Sequence, residues 1–341
     1  MTTLHGAPAR FDAGLTEAAP GVHVWLQPNG SWGETNAALV AGEGESLLVD
    51  TLWTPGLTRA MLDAMAAVTA AAPIRRVVNT HADGDHCWGN QLFAGTEIVA
   101  TNAAAEEMHA LPPRTVGAFR RLAAGLRAGG RLRLPASAAG EYVSGMFAPF
   151  DFGDVELTPP TRTFEGELTL EVGGRAVELI EVGPAHTGGD LIAWIPDART
   201  VIAADILFTG VTPVMWAGPT ERWIAALDRI AALEPDVVVP GHGPLAGLAD
   251  VRTLRDYWEL VDERAQEGLT AGRSPYEIAH AIVTSDEFRS APWGGWDHPE
   301  RIVIGVHTID RHRSGASGEI SPVTRIRIFD EVGRLARELR A

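Results

Sequence analysis

The chain of 341 residues is 45% hydrophobic and 21% charged, a balance typical of a globular protein that can bury one large core or two ordinary ones. Its formal net charge of −16 argues against a nucleic-acid partner or a membrane surface, because both require a basic footprint. All 28 basic residues are arginine and Cys87 is the single cysteine, so lysine-based catalysis, an intrachain disulfide and four-cysteine zinc modules are excluded.

The first part of the sequence alternates strand and helix patterns after an irregular arm over residues 1–20. Strands are predicted in "GVHVWLQ", "TNAALVAG" and "ESLLVDT", a helix over 55–71, and a buried strand over 74–80. This alternation predicts an α/β layered fold, in which ligands lie at the carboxyl ends of the strands. The absence of an apolar leader or of a run of about 18 apolar residues predicts a cytoplasmic protein.

An insertion is expected over residues 103–150, with helical pieces such as "TVGAFRRLAAGLRAG" and an aromatic tract, "MFAPFDFGD". Strands then resume with a hairpin that turns at Gly173-Gly174, followed by two strands in "DLIAWIPDARTVIAADILF". An amphipathic helix over 220–233 and a buried strand in "DVVVPGHGP" come next. The remainder reads as helical, so we expect a catalytic domain over 21–250 and a helical C-terminal extension over 251–341.

Histidine and aspartate side chains follow the ends of several predicted strands, beside glycine or proline. They are His81, Asp83, Asp85, His86, His186, Asp205 and His242. A loop that leaves a buried strand is rigidly anchored, and imidazole and carboxylate groups are the usual ligands of a catalytic zinc, iron or manganese ion. Any one histidine alone would be more simply explained as a surface or core residue, but the combined pattern predicts a metal site.

The pattern resembles that of the metallo-β-lactamase-fold superfamily, which has a His-x-His-x-Asp-His motif followed by a histidine, a bridging aspartate and a last histidine. The resemblance covers about residues 20–250 and implies a four-layer αββα sandwich. It implies two ligand groups that share a bridging Asp205. The first group would be His81, residue 83 and His186; the second would be Asp85, His86 and His242.

The sequence departs from this pattern at Asp83, where the family has its second histidine. With two divalent ions, one hydroxide and two carboxylates the usual core carries a charge of about +1, and Asp83 would lower it to about 0. A less positive core is a poorer Lewis acid, and oxygen-rich ligation favours iron or manganese over zinc. Flavodiiron proteins resemble the chain in this carboxylate, but the residues after His242 are too few and too helical for the flavodoxin domain of those proteins.

Two interpretations of the chemistry remain open. The favoured one is a binuclear metallohydrolase with two divalent ions, zinc first, in which a metal-bound hydroxide attacks an ester, thioester, lactone or amide carbonyl and Asp85 orients or deprotonates the water. The alternative is a non-haem diiron oxygenase or other redox enzyme, with Asp83 as an additional ligand. A regulatory binding module without activity is a third interpretation.

The substrate is expected to be a small, apolar molecule, and a homodimer is an open alternative to a monomer. Aromatic residues in loops near the predicted site are candidates for a substrate pocket, although core packing explains each equally well. They are Trp32, Phe147, Trp216, Trp293 and Trp296. Asp50 is expected to fix a loop or a ligand histidine by a hydrogen bond rather than to bind metal.

Overall fold

Two β-sheets pack face to face at the centre of the computed structural model, which describes residues 2–109, 112–113, 116–117, 138–316 and 320–340. The first sheet has strand order β1-β2-β3-β4-β5-β6-β7, and the second has strand order β12-β11-β10-β9-β8. Alternate residues of both sheets fill the space between them, among them Val24, Val40, Val78, Leu179 and Ile202. The period-two pattern of the strands therefore places one apolar face of each sheet in a shared core.

The strands of the first sheet are β1 (Gly14–Ala19), β2 (Val22–Leu26), β3 (Ala37–Ala41), β4 (Ser46–Val49), β5 (Ile74–Val78), β6 (Glu97–Thr101) and β7 (Arg162–Phe164). Those of the second are β8 (Glu167–Val172), β9 (Arg175–Glu181), β10 (Leu191–Ile195), β11 (Thr200–Phe208) and β12 (Val237–His242). Strands β4 to β7 run parallel, as do β11 and β12, and the other neighbours are antiparallel.

Helices cover the outer face of each sheet. Helices in the first part of the chain are α1 (Pro55–Ala64), α2 (Ala66–Ala71), α3 (Gly84–Cys87), α4 (Asn102–Glu107), α5 (Ala138–Phe147) and α6 (Thr220–Ala232). Met61 of α1 and Met65 pack on the outer face of the first sheet, and Trp223 and Leu227 of α6 pack on that of the second. The result is the predicted αββα order of layers.

The C-terminal region is helical, as predicted. Its helices are α7 (Leu248–Thr270), α8 (Pro275–Thr284), α9 (Asp286–Ser290), α10 (Ile302–Arg313) and α11 (Pro322–Glu338). Tyr257 and Trp258 of α7 are completely buried and continue the core that lies behind the second sheet. Burial of such a large side chain contributes roughly 1.5–3 kcal/mol, so the extension is part of the same folded body as the sandwich. Among the described residues, no helix combines the length and apolar character needed to cross a bilayer.

The predicted hairpin at Gly173-Gly174 is confirmed, since Val172 pairs with Arg175 and both glycines have positive φ angles of 50° and 82°. The irregular arm predicted over residues 1–20 is wrong at its end, because Gly14–Ala19 pairs with β2. The single helix predicted over 55–71 is divided at Met65 into α1 and α2. Most of the helical piece predicted from "TVGAFRRLAAGLRAG" lies outside the described residues.

Candidate metal centre

The seven candidate ligands lie at one edge of the sandwich. The loop after β5 carries His81 and Asp83 and continues into α3, which holds Asp85 and His86. The other three ligands come from the second sheet: His186 from the β9–β10 loop, Asp205 from within β11 and His242 from the last residue of β12. The strand ends of two facing sheets therefore supply the two halves of one site.

Asp205 lies between two groups of donor atoms. In the first group, His81, His186 and Asp205 have ligand atoms within 4.8 Å of one another, and in the second the same holds for Asp85, His86 and His242. Oδ1 of Asp205 lies 3.1 Å from His86 Nε2, while its Oδ2 lies 3.3 Å from His186 Nε2 and 3.4 Å from His242 Nε2. One carboxylate thus contacts both groups, which is the arrangement of a bridging ligand.

The composition of both donor groups fits a bound cation. Nε2 of His81, Nε2 of His86 and Oδ1 of Asp205 are buried and have no partner with hydrogen-bond geometry among the described residues. Buried polar atoms without partners are rare in folded proteins unless an ion or water satisfies them. Although burial alone would raise the pKa of Asp205, the three histidines around it hold that pKa well below its usual range. Asp205 therefore carries a negative charge between the two donor groups.

Hydrogen bonds from the surrounding loops fix the orientation of the ligand rings. Nδ1 of His86 lies 2.8 Å from Oδ2 of Asp50, and the backbone N and hydroxyl of Thr80 donate to the same carboxylate at 2.9 and 2.7 Å. The ring of His186 is held in the same way by the carbonyl of Val214, 2.6 Å from its Nδ1. A partner on Nδ1 leaves Nε2 as the free lone pair, so these contacts select the tautomer that can bind a metal. The hydrogen-bonding role expected for Asp50 is therefore present in the structure.

Asp83 lies beside the first donor group rather than inside it. Its Oδ2 is 3.2 Å from His186 Nε2, and its side chain is 39% exposed, whereas those of His186 and Asp205 are almost completely buried. The exposed side of Asp83 marks the side of the centre that faces solvent. The carboxylate is close enough to the first donor group to bind an ion held there, and its exposure would let it bind that ion directly or through a water molecule.

Close packing of β12 against β11 sets the position of the bridging carboxylate. A Cβ atom at Gly241 would overlap Oδ1 of Asp205 and the adjoining backbone of Ala204. Asn36 supports the same segment, since its amide donates to the carbonyls of Pro240 and Gly243 at 2.9 and 2.8 Å. The residue at 241 must therefore be glycine for His242 and Asp205 to approach each other.

A sequence profile of the Metallo-beta-lactamase superfamily matches residues 30–242. The chain belongs to this superfamily. The alpha subunit of 2,4-dinitroanisole O-demethylase from Nocardioides sp. (strain JS1661) is 25% identical to the chain over 288 residues, which are 81% of this chain and 74% of that protein. A linear primary-alkylsulfatase from Pseudomonas sp. (strain ATCC 19151) is 25% identical over 226 residues, 62% of this chain and 43% of the relative.

Solved structures of other proteins share the fold of this chain. The stereoselective inverting sec-alkylsulfatase Pisa1 from Pseudomonas sp. aligns with a TM-score of 0.65 and 19% identity, over 89% of this chain and 51% of its own. A metallo-beta-lactamase family protein from Thermus thermophilus aligns with a TM-score of 0.55 and 19% identity, over 90% of this chain and 98% of its own. The chain spans about half the length of the alkylsulfatases that it matches, and the relatives named here include enzymes.

The five aromatic residues predicted to line a pocket lie in different surroundings. Phe147 is 5% exposed and packs with Trp53 in an aromatic cluster, and Trp293 and Trp296 pack on Tyr257. Trp216 lies next to the centre, because its backbone N donates to the carbonyl of His186 at 2.9 Å. Trp32 packs on Phe329, as does Trp216. The structure thus places Trp216 in contact with a candidate ligand.

The segment "GETN" around Asn36 was expected to lie beneath the site, but Thr35 within it was not a predicted site residue; its hydroxyl donates to Oδ2 of Asp85 at 2.7 Å. Threonine in a loop is common, so the residue type alone gave no signal. The Val214 carbonyl that holds His186 was not predicted either, although Trp216 of the same loop, residues 209–217, was a candidate pocket residue. A backbone carbonyl has no sequence signature, so this contact is visible only in the fold.

Proposed function

We propose that the protein is a binuclear metal-dependent hydrolase that cleaves an oxygen-linked bond, an ester or an ether, in a small organic molecule with an apolar body. The observation that carries the proposal is the position of Asp205 between two groups of buried imidazole and carboxylate donors. A shared carboxylate can hold two divalent ions close together. Such a pair supplies Lewis acidity and lowers the pKa of a water molecule when it is bound.

The residues of the chain would divide the work as follows. His81 and His186 would hold one ion and His86 and His242 the other, each through Nε2. Asp85 is the carboxylate of the second group that retains solvent contact, with 15% of its side chain exposed, and Thr35 fixes its orientation. We therefore assign Asp85 to orient the entering water and to accept its proton, in addition to its contact with the second ion.

An oxygen-linked bond is favoured over an amide by the relatives. Their names describe removal of a methyl group from oxygen in one protein and action on alkyl sulfates in the other. An apolar body is supported by the aromatic side chains around Trp216, whose backbone contacts His186, since Trp32 and Trp216 both pack on Phe329, with ring centroids 6.3 and 6.2 Å from that of Phe329. These contacts form an aromatic wall that suits a hydrocarbon or aryl group.

The test is metal analysis together with a panel of substrates. Protein purified without added metal would be analysed for zinc, iron and manganese, and then assayed with p-nitrophenyl acetate, hexyl sulfate and 2,4-dinitroanisole. We expect two equivalents of metal and hydrolysis of at least one substrate without oxygen or reductant. The Asp85→Asn variant should retain most of the metal while its kcat falls at least about 100-fold, the size of effect expected for a general base.

A diiron oxygenase is the second candidate, and the location of Asp83 beside His186 is the observation that favours it. An added carboxylate would make the ligands of the first donor group harder Lewis bases, and such ligands favour iron over zinc. Two equivalents of iron, an oxygen-sensitive visible spectrum and turnover only in the presence of oxygen would establish this alternative and refute the hydrolase.

A further inference from the structure

Arg301 is a buried cation whose hydrogen-bonding capacity is largely unused. Its side chain is 1% exposed, and its Nη1 donates to the carbonyl of Thr212 at a long distance of 3.5 Å. Nε and Nη2 are buried without a hydrogen-bond partner among the described residues, and the hydroxyl of Thr212 is in the same condition. Several polar hydrogens are thus enclosed in one place without an acceptor, which is costly unless something occupies the space.

The surroundings hold the guanidinium in a fixed orientation. Its central carbon lies 4.2 Å from the centroid of the Trp32 ring, so one face of the guanidinium is covered by indole. Tyr142 and Glu300 also lie near the guanidinium; the tyrosine hydroxyl accepts from Trp32 Nε1 and donates to Oε1 of Glu300, both at 3.0 Å. The edge formed by Nε and Nη2 is therefore left as a preorganised fork.

The loop over residues 209–217 connects this fork to the metal centre, because Val214 holds the ring of His186 and Thr212 contacts Arg301. Burial lowers the pKa of Arg301 below its usual range, and the negative charges of Glu300 and Asp205 offset part of this shift. A guanidinium remains protonated in proteins, so a positive charge lies within electrostatic reach of the bridging carboxylate.

We propose that Arg301, assisted by the hydroxyl of Thr212, binds an oxyanionic group of the substrate through Nε and Nη2, beside the metal centre. This rests on the proposed function in that the ligand is the substrate of the same site. Two oxygens of a sulfate or a carboxylate match the spacing of the two parallel N–H donors. Trp32, Tyr142 and Glu300, three neighbours of the guanidinium, also line a cavity of about 890 Å³. The substrate class is thus an oxyanion carried on an apolar body.

The experiment measures binding, so that it does not depend on turnover. Protein loaded with zinc would be titrated calorimetrically with hexyl sulfate, hexanoate and the neutral hexyl methyl ether. The variants are Arg301→Met, which keeps an unbranched side chain without the charge, Arg301→Lys and Thr212→Val. The matched control is Arg10→Met, because Arg10 lines the same cavity but already has a carboxylate partner, Asp297, at 2.8 Å.

We expect wild-type protein to bind at least one oxyanionic probe 10-fold or more tightly than the ether, and the two anions to show whether sulfate or carboxylate is preferred. Arg301→Met should weaken that probe about 10- to 100-fold and leave the ether unchanged, as loss of a charged hydrogen-bond pair predicts. Arg301→Lys and Thr212→Val should give smaller losses, and Arg10→Met none. If Arg301→Met does not fold, Arg301→Lys decides between the outcomes.

Equal binding of the anions and the ether by wild-type protein would overturn the inference, as would unchanged anion affinity in the Arg301 variants or an equal loss in Arg10→Met. The result is separable from the proposed function. Anion binding that depends on Arg301 in a protein without hydrolytic activity supports the inference and refutes the hydrolase. Hydrolysis of hexyl sulfate by Arg301→Met with the KM of wild-type protein would support the hydrolase and refute the inference.

Discussion

Substitution of Asp50 by asparagine should weaken the metal centre without a change in backbone shape. Asp50 is 2% exposed and has a φ of 66°, a left-handed conformation that asparagine also tolerates. Its two carboxylate oxygens accept from three donors: the Thr80 backbone N, the Thr80 hydroxyl and His86 Nδ1, at 2.9, 2.7 and 2.8 Å. An amide has only one acceptor oxygen, so it cannot accept from both the Thr80 backbone N and His86 Nδ1.

Either orientation of the amide has a predictable cost. With the oxygen towards His86, the backbone N–H of Thr80 faces an NH₂ group, and one buried donor without a partner destabilises the fold by about 1–3 kcal/mol. With the NH₂ group towards His86, Nδ1 must become the acceptor, and the proton moves to Nε2, where it blocks metal binding. Loss of a hydrogen bond that orients a ligand typically lowers metal affinity about 10- to 100-fold.

The assay for Asp50→Asn is competition with a chromogenic chelator for metal affinity, together with thermal unfolding of the metal-loaded and metal-free protein. Asp236→Asn is the control, because Asp236 is a surface partner of Arg199 at 3.1 Å and lies outside the centre. Wild-type metal affinity and an unchanged unfolding temperature in Asp50→Asn would refute the assignment of the His86 tautomer to Asp50.

Removal of metal with a chelator should lower the thermal unfolding temperature, since clustered carboxylates lose their counter-charge; an unchanged temperature in calorimetry would contradict a metal centre. Gly241→Ala should at least halve the bound metal, measured by mass spectrometry, because the new Cβ displaces Asp205. Gly145→Ala should leave the bound metal unchanged, because a Cβ added there meets no neighbouring atom within 4 Å. Burial raises the pKa of Glu107 to about 7, with a contribution from Asp190. The folded state therefore binds more protons than the unfolded state between about pH 4.5 and 7, and stability falls as pH rises through that window. Glu107→Gln should accordingly be more stable than wild type at pH 8, by about 1 kcal/mol after solvent screening, and no more stable at pH 4; equal unfolding temperatures at pH 8 would contradict this.

The order of the layers and the ligand loops could be predicted from the sequence because both follow local rules. Buried strands in α/β folds end in loops at a common edge, so the loops that hold His81, His186 and His242 could be placed together before the fold was known. The edge strand β1 was missed, since its residues are only partly buried and lack an alternating apolar pattern. An edge strand whose residues are partly exposed on both faces gives only a weak period-two signal.

Features set by contacts between distant segments could not be predicted. Phe147 reads as a pocket residue in a sequence with an aromatic tract, but its ring packs on Trp53, and this contact depends on the position of α5. The burial of Arg301 likewise depends on the packing of the C-terminal region against the loop over 209–217. An arginine in a linear sequence is most simply interpreted as a surface residue, so its burial has no local signature.

That loop links the two halves of the chain. Val214 holds a ligand histidine inside the segment matched by the family profile, and the neighbouring Met215 accepts a hydrogen bond from Thr308 of α10, 2.7 Å away and outside that segment. The two parts are therefore not interchangeable modules. A chimera that joins residues 1–250 to the extension of another relative would have to preserve this contact, and libraries aimed at new selectivity should vary the loop and α10 together.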